Sequence, residues 1–154
     1  MADPTETFGL KLAVRTSESP DTYTYIGGID EFGQLFSFTS AEIDVSDISD
    51  TVKKYLGGRL DPGGVNFTLK LDVGDPQHDA STGLLALAQV RGTEKFVIEI
   101  PPSIGTSSVV SYVLLDAFVS NVTPAGAGED VIRAQCTLRI SGAPTFTTVA
   151  PTFA

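Results

Sequence analysis

Alternation of apolar and polar residues with a period of two dominates this chain and limits what it can fold into. The clearest run begins at Val65, where Val65, Phe67, Leu69, Leu71 and Val73 alternate with Asn66, Thr68, Lys70 and Asp72. Successive side chains of a β-strand point to opposite faces, so this pattern buries one face of a sheet. The sequence therefore predicts a β protein.

Similar patterns recur along the chain between turn-forming residues. They predict strands at about 8–14, 23–26, 35–45, 65–73, 96–100, 109–122 and 132–140. In the third of these strands Ala41, Ile43 and Val45 are predicted to point inward. The run 109–122 is apolar on both faces, so it is expected to lie centrally in a sandwich or to be covered by a partner.

One helix interrupts the strands, at about residues 79–91. Asp79 or Ser81 can cap it, Gly92 can end it, and its apolar residues recur at helical spacing. Because strands and helices do not alternate regularly, we expect a mainly β fold: an antiparallel sandwich or partial barrel with one flanking α-helix. A single domain, 1–154, is predicted, with a long loop at about 46–64 and a C-terminal extension at about 143–154.

Charge and cysteine content narrow the functional classes. Ten Lys and Arg against 19 Asp and Glu give a formal net charge of -9, which disfavours nucleic-acid binding because phosphates are repelled. The single cysteine, Cys136, cannot form a disulfide within the chain. Because the chain starts without a signal-peptide pattern and has no apolar run of about 18 residues, we expect neither secretion nor insertion into a membrane.

Catalytic constellations are not evident in the sequence. His78 is the only histidine and is predicted to lie in a surface turn, so a general base for a nucleophile is lacking. The spacing of Asp72, Asp75 and Asp79 is not that of a calcium loop and predicts turns and helix capping instead. We expect no enzyme activity, no cofactor and no metal site.

Several ordered segments carry a resemblance to a known family. They are Ile43–Ser46, Lys54–Gly63, Val65–Asp72 followed by Asp75-Pro76, Gly83–Leu87, Asp116–Pro124 and Thr137–Phe146. Together they cover about residues 20–148 and resemble the tail tube, or major tail, proteins of long-tailed bacteriophages and phage-like gene transfer agents. Arg59 departs from the family pattern within the Gly-Leu turn.

The resemblance implies a function as a structural subunit. Hexameric rings would join their sheets into one continuous β-barrel and stack into a hollow tube, through which DNA passes during ejection without specific binding. The implied partners are further copies of the chain and the tail tip, tape measure and tail terminator proteins. The implied location is the virion tail, assembled in the host cytoplasm.

Two sets of residues are candidates for this role. Acidic side chains would let a polyanion slide, and the candidate channel-lining residues are Asp72, Glu99 and Asp116. The candidate inter-subunit or inter-ring residues lie in and beside the predicted loop: Asp44, Asp47, Asp50, Lys53, Lys54, Tyr55, Arg59 and Asp61. Two alternatives stay open: a tube subunit of a contractile injection or type VI secretion-like system, and a monomeric immunoglobulin-like binding module on a virion surface.

Overall fold

The computed structural model describes residues 10–101, 110–126, 128 and 130–154. These residues contain ten β-strands and one α-helix. Their bounds, in chain order, are β1 Lys11–Ser17, β2 Thr22–Tyr25, β3 Ile29–Phe32, β4 Thr39–Asp44, β5 Tyr55–Asp61, β6 Gly64–Lys70, α1 Leu84–Val90, β7 Glu94–Ile100, β8 Ser111–Ala125, β9 Arg133–Ile140 and β10 Thr145–Thr147. The prediction of a mainly β protein with one helix is confirmed.

Eight of these strands form one antiparallel sheet, and the other two form a separate ribbon. The order in the sheet is β2-β1-β7-β8-β9-β6-β3, with β10 paired to β8, while β4 pairs only with β5. The sheet curls around its own core but its two end strands do not pair, so it is open in the single chain. The antiparallel prediction is therefore confirmed for the subunit.

Strand β8 is long enough to pair with strands in both halves of the sheet. Its first half pairs with β7 on one side and with β10 on the other, whereas its second half pairs with β9. The register shifts between Val119 and Asn121, and such an irregularity bends a strand. This position explains why β8 is apolar on both faces: Val113 and Leu115 face the main core, while Tyr112 and Leu114 face a second cluster.

The main core collects the inward faces of five strands and the start of the helix. Its fully buried members include Leu12, Leu69, Leu84, Phe96, Ile98, Val113 and Leu138. The second cluster lies on the opposite side of the β1–β7 pair and contains Ala13, Tyr23, Val97 and Tyr112, with Phe153 packed against them. The C-terminal segment thus covers a sheet face that solvent would otherwise reach.

The helix is shorter than the sequence predicts. It begins at Leu84, because the carboxylate of Asp79 accepts the backbone N–H groups of Ser81, Thr82 and Gly83 and so holds a turn before the helix. These bonds hold the pKa of Asp79 below its usual range, the N–H of Thr82 contributing most. The helix ends at Val90, and its C-cap is Arg91 in the left-handed conformation rather than the predicted terminator Gly92. It is not long and apolar enough to cross a membrane, nor is any other helix in the described part of the chain.

Three further features differ from the sequence-based expectation. Strand β5 occupies part of the predicted loop 46–64, and the sequence does not predict β3 or β10. Ala41, Ile43 and Val45 are exposed rather than inward, since their strand leaves the main sheet. The predicted first residues of two strands, Phe8 and Val109, lie outside the described residues.

Candidate assembly interface

The ribbon formed by β4 and β5, with the turn between them, is the most exposed part of the described chain. We call residues 39–61 the hairpin. Thr39 pairs with Asp61 at its base, Asp44 pairs with Tyr55 near its tip, and the N–H of Val45 donates to the carbonyl of Lys54 at 3.0 Å. A two-stranded ribbon of this kind is only marginally stable alone. The hairpin therefore depends on the backbone pairing between β4 and β5 and on contacts between its base and the main sheet.

One face of the hairpin is apolar although no described residue covers it. Ile43 and Leu56 are directly opposite each other, and cross-strand partners share a face. Ile43 is 47% exposed and Leu56 is 58% exposed, and Val45, on the same face two residues beyond Ile43, is 52% exposed. The side chain of Ile48 at the tip is fully exposed. Contiguous exposed apolar side chains of this kind mark interaction surfaces.

The tip of the hairpin is ordered by carboxylates and one hydroxyl. Asp44 accepts the N–H of Ser46 at 2.9 Å, which lowers the pKa of Asp44. The hydroxyl of Ser46 accepts the N–H of Lys54 at 2.6 Å, and the ammonium of Lys54 lies 3.2 Å from the carboxylate of Asp50. Asp50 also accepts the N–H of Asp47 at 2.7 Å. The structure thus brings together four of the predicted interface residues.

At its base the hairpin is fixed to the sheet by an aromatic cluster and an ion pair. The ring of Phe36 lies 5.3 Å from that of Phe38 and 5.5 Å from that of Phe146 in β10. The carboxylate of Asp61 accepts a 2.7 Å bond from Arg139 in β9. The N–H of Gly63, then Arg139, lowers the pKa of Asp61. Asp61 is thus an anchor of the hairpin.

The other predicted interface residues lie on the hairpin without such contacts. Lys53, Tyr55 and Arg59 are exposed, and neither Lys53 nor Arg59 forms an ion pair with a described residue. The positive charges of Lys53 and Arg59 are therefore available to a neighbouring protein.

The three predicted channel-lining acids do not lie together. Asp72 is in the turn after β6, where it accepts the N–H of Gly74 at 2.9 Å. Glu99 and Asp116 share the outer face of the β7–β8 pair, opposite Tyr112 and Lys95 respectively. Glu99 is mostly covered, since it accepts a 3.0 Å bond from Tyr25 and lies 3.7 Å from Lys11. Whether any of the three lines a channel stays a prediction.

His78 is buried, so its predicted place in a surface turn is wrong. Its Nδ1 accepts the N–H of Asp72 at 3.1 Å and its Nε2 lies 2.7 Å from the carbonyl of Gly27, to which it donates. A ring that accepts at one nitrogen and donates at the other is neutral. His78 ties the turn after β6 to the loop after β2. Sequence alone gave no signal for this, because Gly27 and His78 are brought together only by the sheet.

Chemical sites are not formed by the described residues. They contain no group of three or more His, Cys, Asp or Glu arranged to hold a metal ion. An open cavity of about 220 Å³ lies beside β7 and β8 and includes Asp21, Lys95 and Asp116, but Asp21 is already engaged by Lys95 at 3.6 Å and by Arg15 at 3.3 Å.

Solved structures similar to this chain include chains of particle tails, a tail tube and a baseplate. The tail of an empty gene transfer agent particle, computed with helical refinement and C6 symmetry, is 15% identical, with 94% of this chain and 99% of that chain covered and a TM-score of 0.67. A chain in the baseplate of the anti-feeding prophage, 6-fold symmetrised, is 11% identical, with 96% of this chain and 97% of that chain covered and a TM-score of 0.66. The SPP1 tail tube is 12% identical, with 93% of this chain and 78% of that chain covered and a TM-score of 0.66. The fold is that of a tube protein.

Sequence comparison defines the family. Among curated protein sequences, none matches this chain. Residues 13–150 match the family model described as phage tail tube, TTP, lambda-like. The chain belongs to this family, as its motifs indicate. It is a tail tube subunit of a phage, a gene transfer agent or a contractile injection system, and thus a structural protein of a particle tail rather than an enzyme.

Proposed function

We propose that copies of this chain form six-membered rings that stack into a hollow tube, and that DNA passes through this tube into a host cell. Six is proposed because the tail of the gene transfer agent was refined with C6 symmetry and the anti-feeding prophage baseplate with six-fold symmetry. DNA is proposed because the matching family is that of lambda-like phage tails. Contacts around a ring close, whereas contacts along its axis stay open and produce a filament.

The uncovered hairpin is the observation that carries this proposal. Its apolar face, with Ile43, Val45 and Leu56, would be unfavourable in contact with water and is stabilised when a second copy covers it. A second copy is the proposed partner because the chain belongs to a tail tube family, and a tube is built from repeated copies of its subunit. Lys53 and Arg59 then meet acids on the neighbour, of which a chain with a net charge of -9 has many.

Further partners follow from the tube. A stack of rings has two ends, so its length must be set by other components, and we propose a tail tip, a tape measure and a tail terminator protein. Two of the similar solved structures are a sheath/tube terminator and a baseplate. The terminator belongs to an extracellular contractile injection system, so a tube that passes protein is the second candidate. The two candidate functions differ in whether DNA or protein passes through the tube.

The first test is negative-stain electron microscopy of the purified protein at rising concentration. We expect rings or tubes of uniform diameter. Leu56→Asp should abolish them while leaving a folded monomer, because Leu56 is exposed in the single chain and contributes little to its fold. Leu56→Met is the matched control and should still assemble. Wild-type protein that stays monomeric at every concentration would contradict the tube, and tubes of Leu56→Asp would contradict the role of the hairpin.

A further inference from the structure

Outside the hairpin, one positive charge has no acidic partner among the described residues. Ion pairs with described acids engage most of the Lys and Arg residues: Lys11, Arg15, Lys54, Lys70, Lys95, Arg133 and Arg139. The cations without such a pair are Lys53 and Arg59 on the hairpin, and Arg91 after α1. The guanidinium of Arg91 is therefore free to bind an acid on another protein.

Arg91 also occupies a backbone conformation that favours glycine. It caps α1 with a φ of 62° and a ψ of 22°, and its N–H donates to the carbonyl of Leu87. A left-handed conformation is unfavourable for a residue with a Cβ atom, and the next residue is Gly92, which could adopt it without that cost. Capping alone does not explain an arginine here, so its side chain is the feature to be explained.

The side chain of Arg91 lies at an open niche between the helix and the sheet, which we call the α1–β8 niche. It holds about 280 Å³ and is lined by Ala88, Arg91, Phe118, Val119 and Ser120. Phe118 is only half-buried, and Val90, next to Arg91 in the chain, is 74% exposed. A niche of this composition fits an apolar side chain that is followed or preceded by an acid.

The tip of the hairpin has this combination of residues. Ile48 is fully exposed, and its neighbour Asp47 is exposed and forms no ion pair with a described residue. The other acid at the tip, Asp50, is already 3.2 Å from the ammonium of Lys54, so Asp47 is the acid that can meet a new cation. The tip and the niche are thus complementary in charge and in apolar character.

We propose that Ile48 of one copy occupies the α1–β8 niche of a second copy, with the carboxylate of Asp47 against the guanidinium of Arg91. This rests on the tube proposed above, because the contact requires assembled copies. Tip and niche are different surfaces of one chain, so the contact is heterologous and can repeat from copy to copy. Burial of Ile48 stabilises the contact, and the ion pair selects its orientation.

Charge substitutions test the ion pair. Arg91→Gln and Gln89→Glu each make the chain more negative by one charge, but Gln89 does not line the niche, so Gln89→Glu is the matched control. We expect Arg91→Gln to raise the protein concentration needed for tube formation about fivefold, and Gln89→Glu to change it by less than about twofold. Both side chains are exposed, and circular dichroism of the monomers verifies that the variants fold.

Exchange of the two charges is the sharper form of this test. Arg91→Glu and Asp47→Lys should each raise the required concentration more than about tenfold, because each variant places like charges opposite each other. The double variant keeps the net charge of the wild type and should recover most of the loss, as a direct pair requires.

Paired cysteines test the location of the tip. Ile48→Cys with Ser120→Cys places one thiol on the tip and one in the niche, whereas Ile48→Cys with Thr16→Cys on β1 is the matched control. Ser120 and Thr16 are both exposed, and the native Cys136 is buried. After oxidation of tubes with diamide, we expect the Ser120 pair to give a ladder of covalent multimers in denaturing electrophoresis. The Thr16 pair and each single variant should give dimers at most.

The outcomes separate this inference from the tube itself. Wild-type tubes without recovery in the charge-exchanged variant, or without a ladder from the Ser120 pair, would overturn the inference and leave the tube intact. A ladder from the Thr16 pair equal to that of the Ser120 pair would overturn it as well. If Ser120→Cys does not assemble, Val90→Cys beside the niche takes its place. Absence of wild-type tubes would overturn both proposals.

Discussion

The ring of Phe153 stacks on the ring of Tyr25, with centroids 4.6 Å apart and planes 9° from parallel. This contact fastens the C-terminal segment to the edge strand β2, next to the backbone bonds between Tyr23 and residues 152 and 154. The phenol of Tyr25 donates to Glu99 at 3.0 Å. Burial, and then Glu99, raises the pKa of Tyr25 to about 12. The stack thus has two measurable consequences.

Phe153→Ala should loosen the C-terminal segment and expose Tyr25. Because Phe153 is half-buried, the loss of apolar burial should lower the free energy of unfolding by about 1–2 kcal/mol. The pKa of Tyr25 should fall from about 12 toward the ordinary value of 10.0, since burial is its main cause. Urea unfolding and ultraviolet titration of the tyrosines measure the two effects.

Val149→Ala is the control for this prediction. Val149 lies in the same segment but is 75% exposed, so its truncation should change stability by less than about 0.5 kcal/mol. A Phe153→Ala variant with the stability and tyrosine titration of the wild type would show that the segment is not held by this stack.

Replacing the buried histidine should be costly even though it has no catalytic role. His78→Leu leaves the N–H of Asp72 and the carbonyl of Gly27 without their partner, and unsatisfied buried groups of this kind cost roughly 1–3 kcal/mol. The neighbouring Gln77→Leu removes no side-chain bond recorded in the described residues and should unfold near the wild-type midpoint. The prediction fails if both variants unfold at the same urea concentration.

Long strands with strict alternation were predictable from sequence. The burial of Val65, Phe67 and Leu69, and the two-faced character of β8, follow directly from the spacing of apolar residues. The family motifs indicated the tube class for the same reason, because they lie in these strands and their turns. Local pattern and fold agree in this part of the chain.

The hairpin and His78 were not predictable in this way. Alternation at Ala41, Ile43 and Val45 indicates a face that becomes buried, but not whether its own subunit or a neighbour buries it. The role of His78 depends on a carbonyl 51 positions away, which only the folded sheet brings within reach. Strand β3 has the sequence Ile-Asp-Glu-Phe, which does not alternate with a period of two, so no strand pattern marks it.

Acid should weaken the fold through the ion pairs that Arg133, at the start of β9, forms with Asp30 and Asp130. Arg133 lowers the pKa of Asp30, and the N–H of Val131, followed by Arg133, lowers that of Asp130. A carboxyl whose folded-state pKa is depressed contributes stability above its unfolded pKa of about 4, and this is lost as pH falls through the folded value. The contribution should therefore be constant from neutral pH to about 5 and decline below about 4.

Asp30→Asn isolates this effect from the general relief of repulsion when a chain of net charge -9 is protonated. The variant should be less stable than the wild type at neutral pH, and the difference in urea midpoint should shrink as pH falls below about 4. A difference that grows toward low pH would contradict the assigned ion pairs. Asp47→Asn on the hairpin, where the carboxylate forms no ion pair with a described residue, is the matched control and should not show this convergence.

The thiol of Cys136 should be unreactive in the native protein and become reactive on unfolding. It lies in β9 with its side chain in the main core, where burial raises its pKa to about 12. Because the thiolate is the reactive form, iodoacetamide should modify native protein only through opening of the sheet, and the rate should rise sharply through the urea transition. Cys136→Ala should leave tube formation intact, since this side chain lies in the main core and not on the surface. Rapid modification of the folded monomer without urea would show instead that the sheet around β9 opens readily.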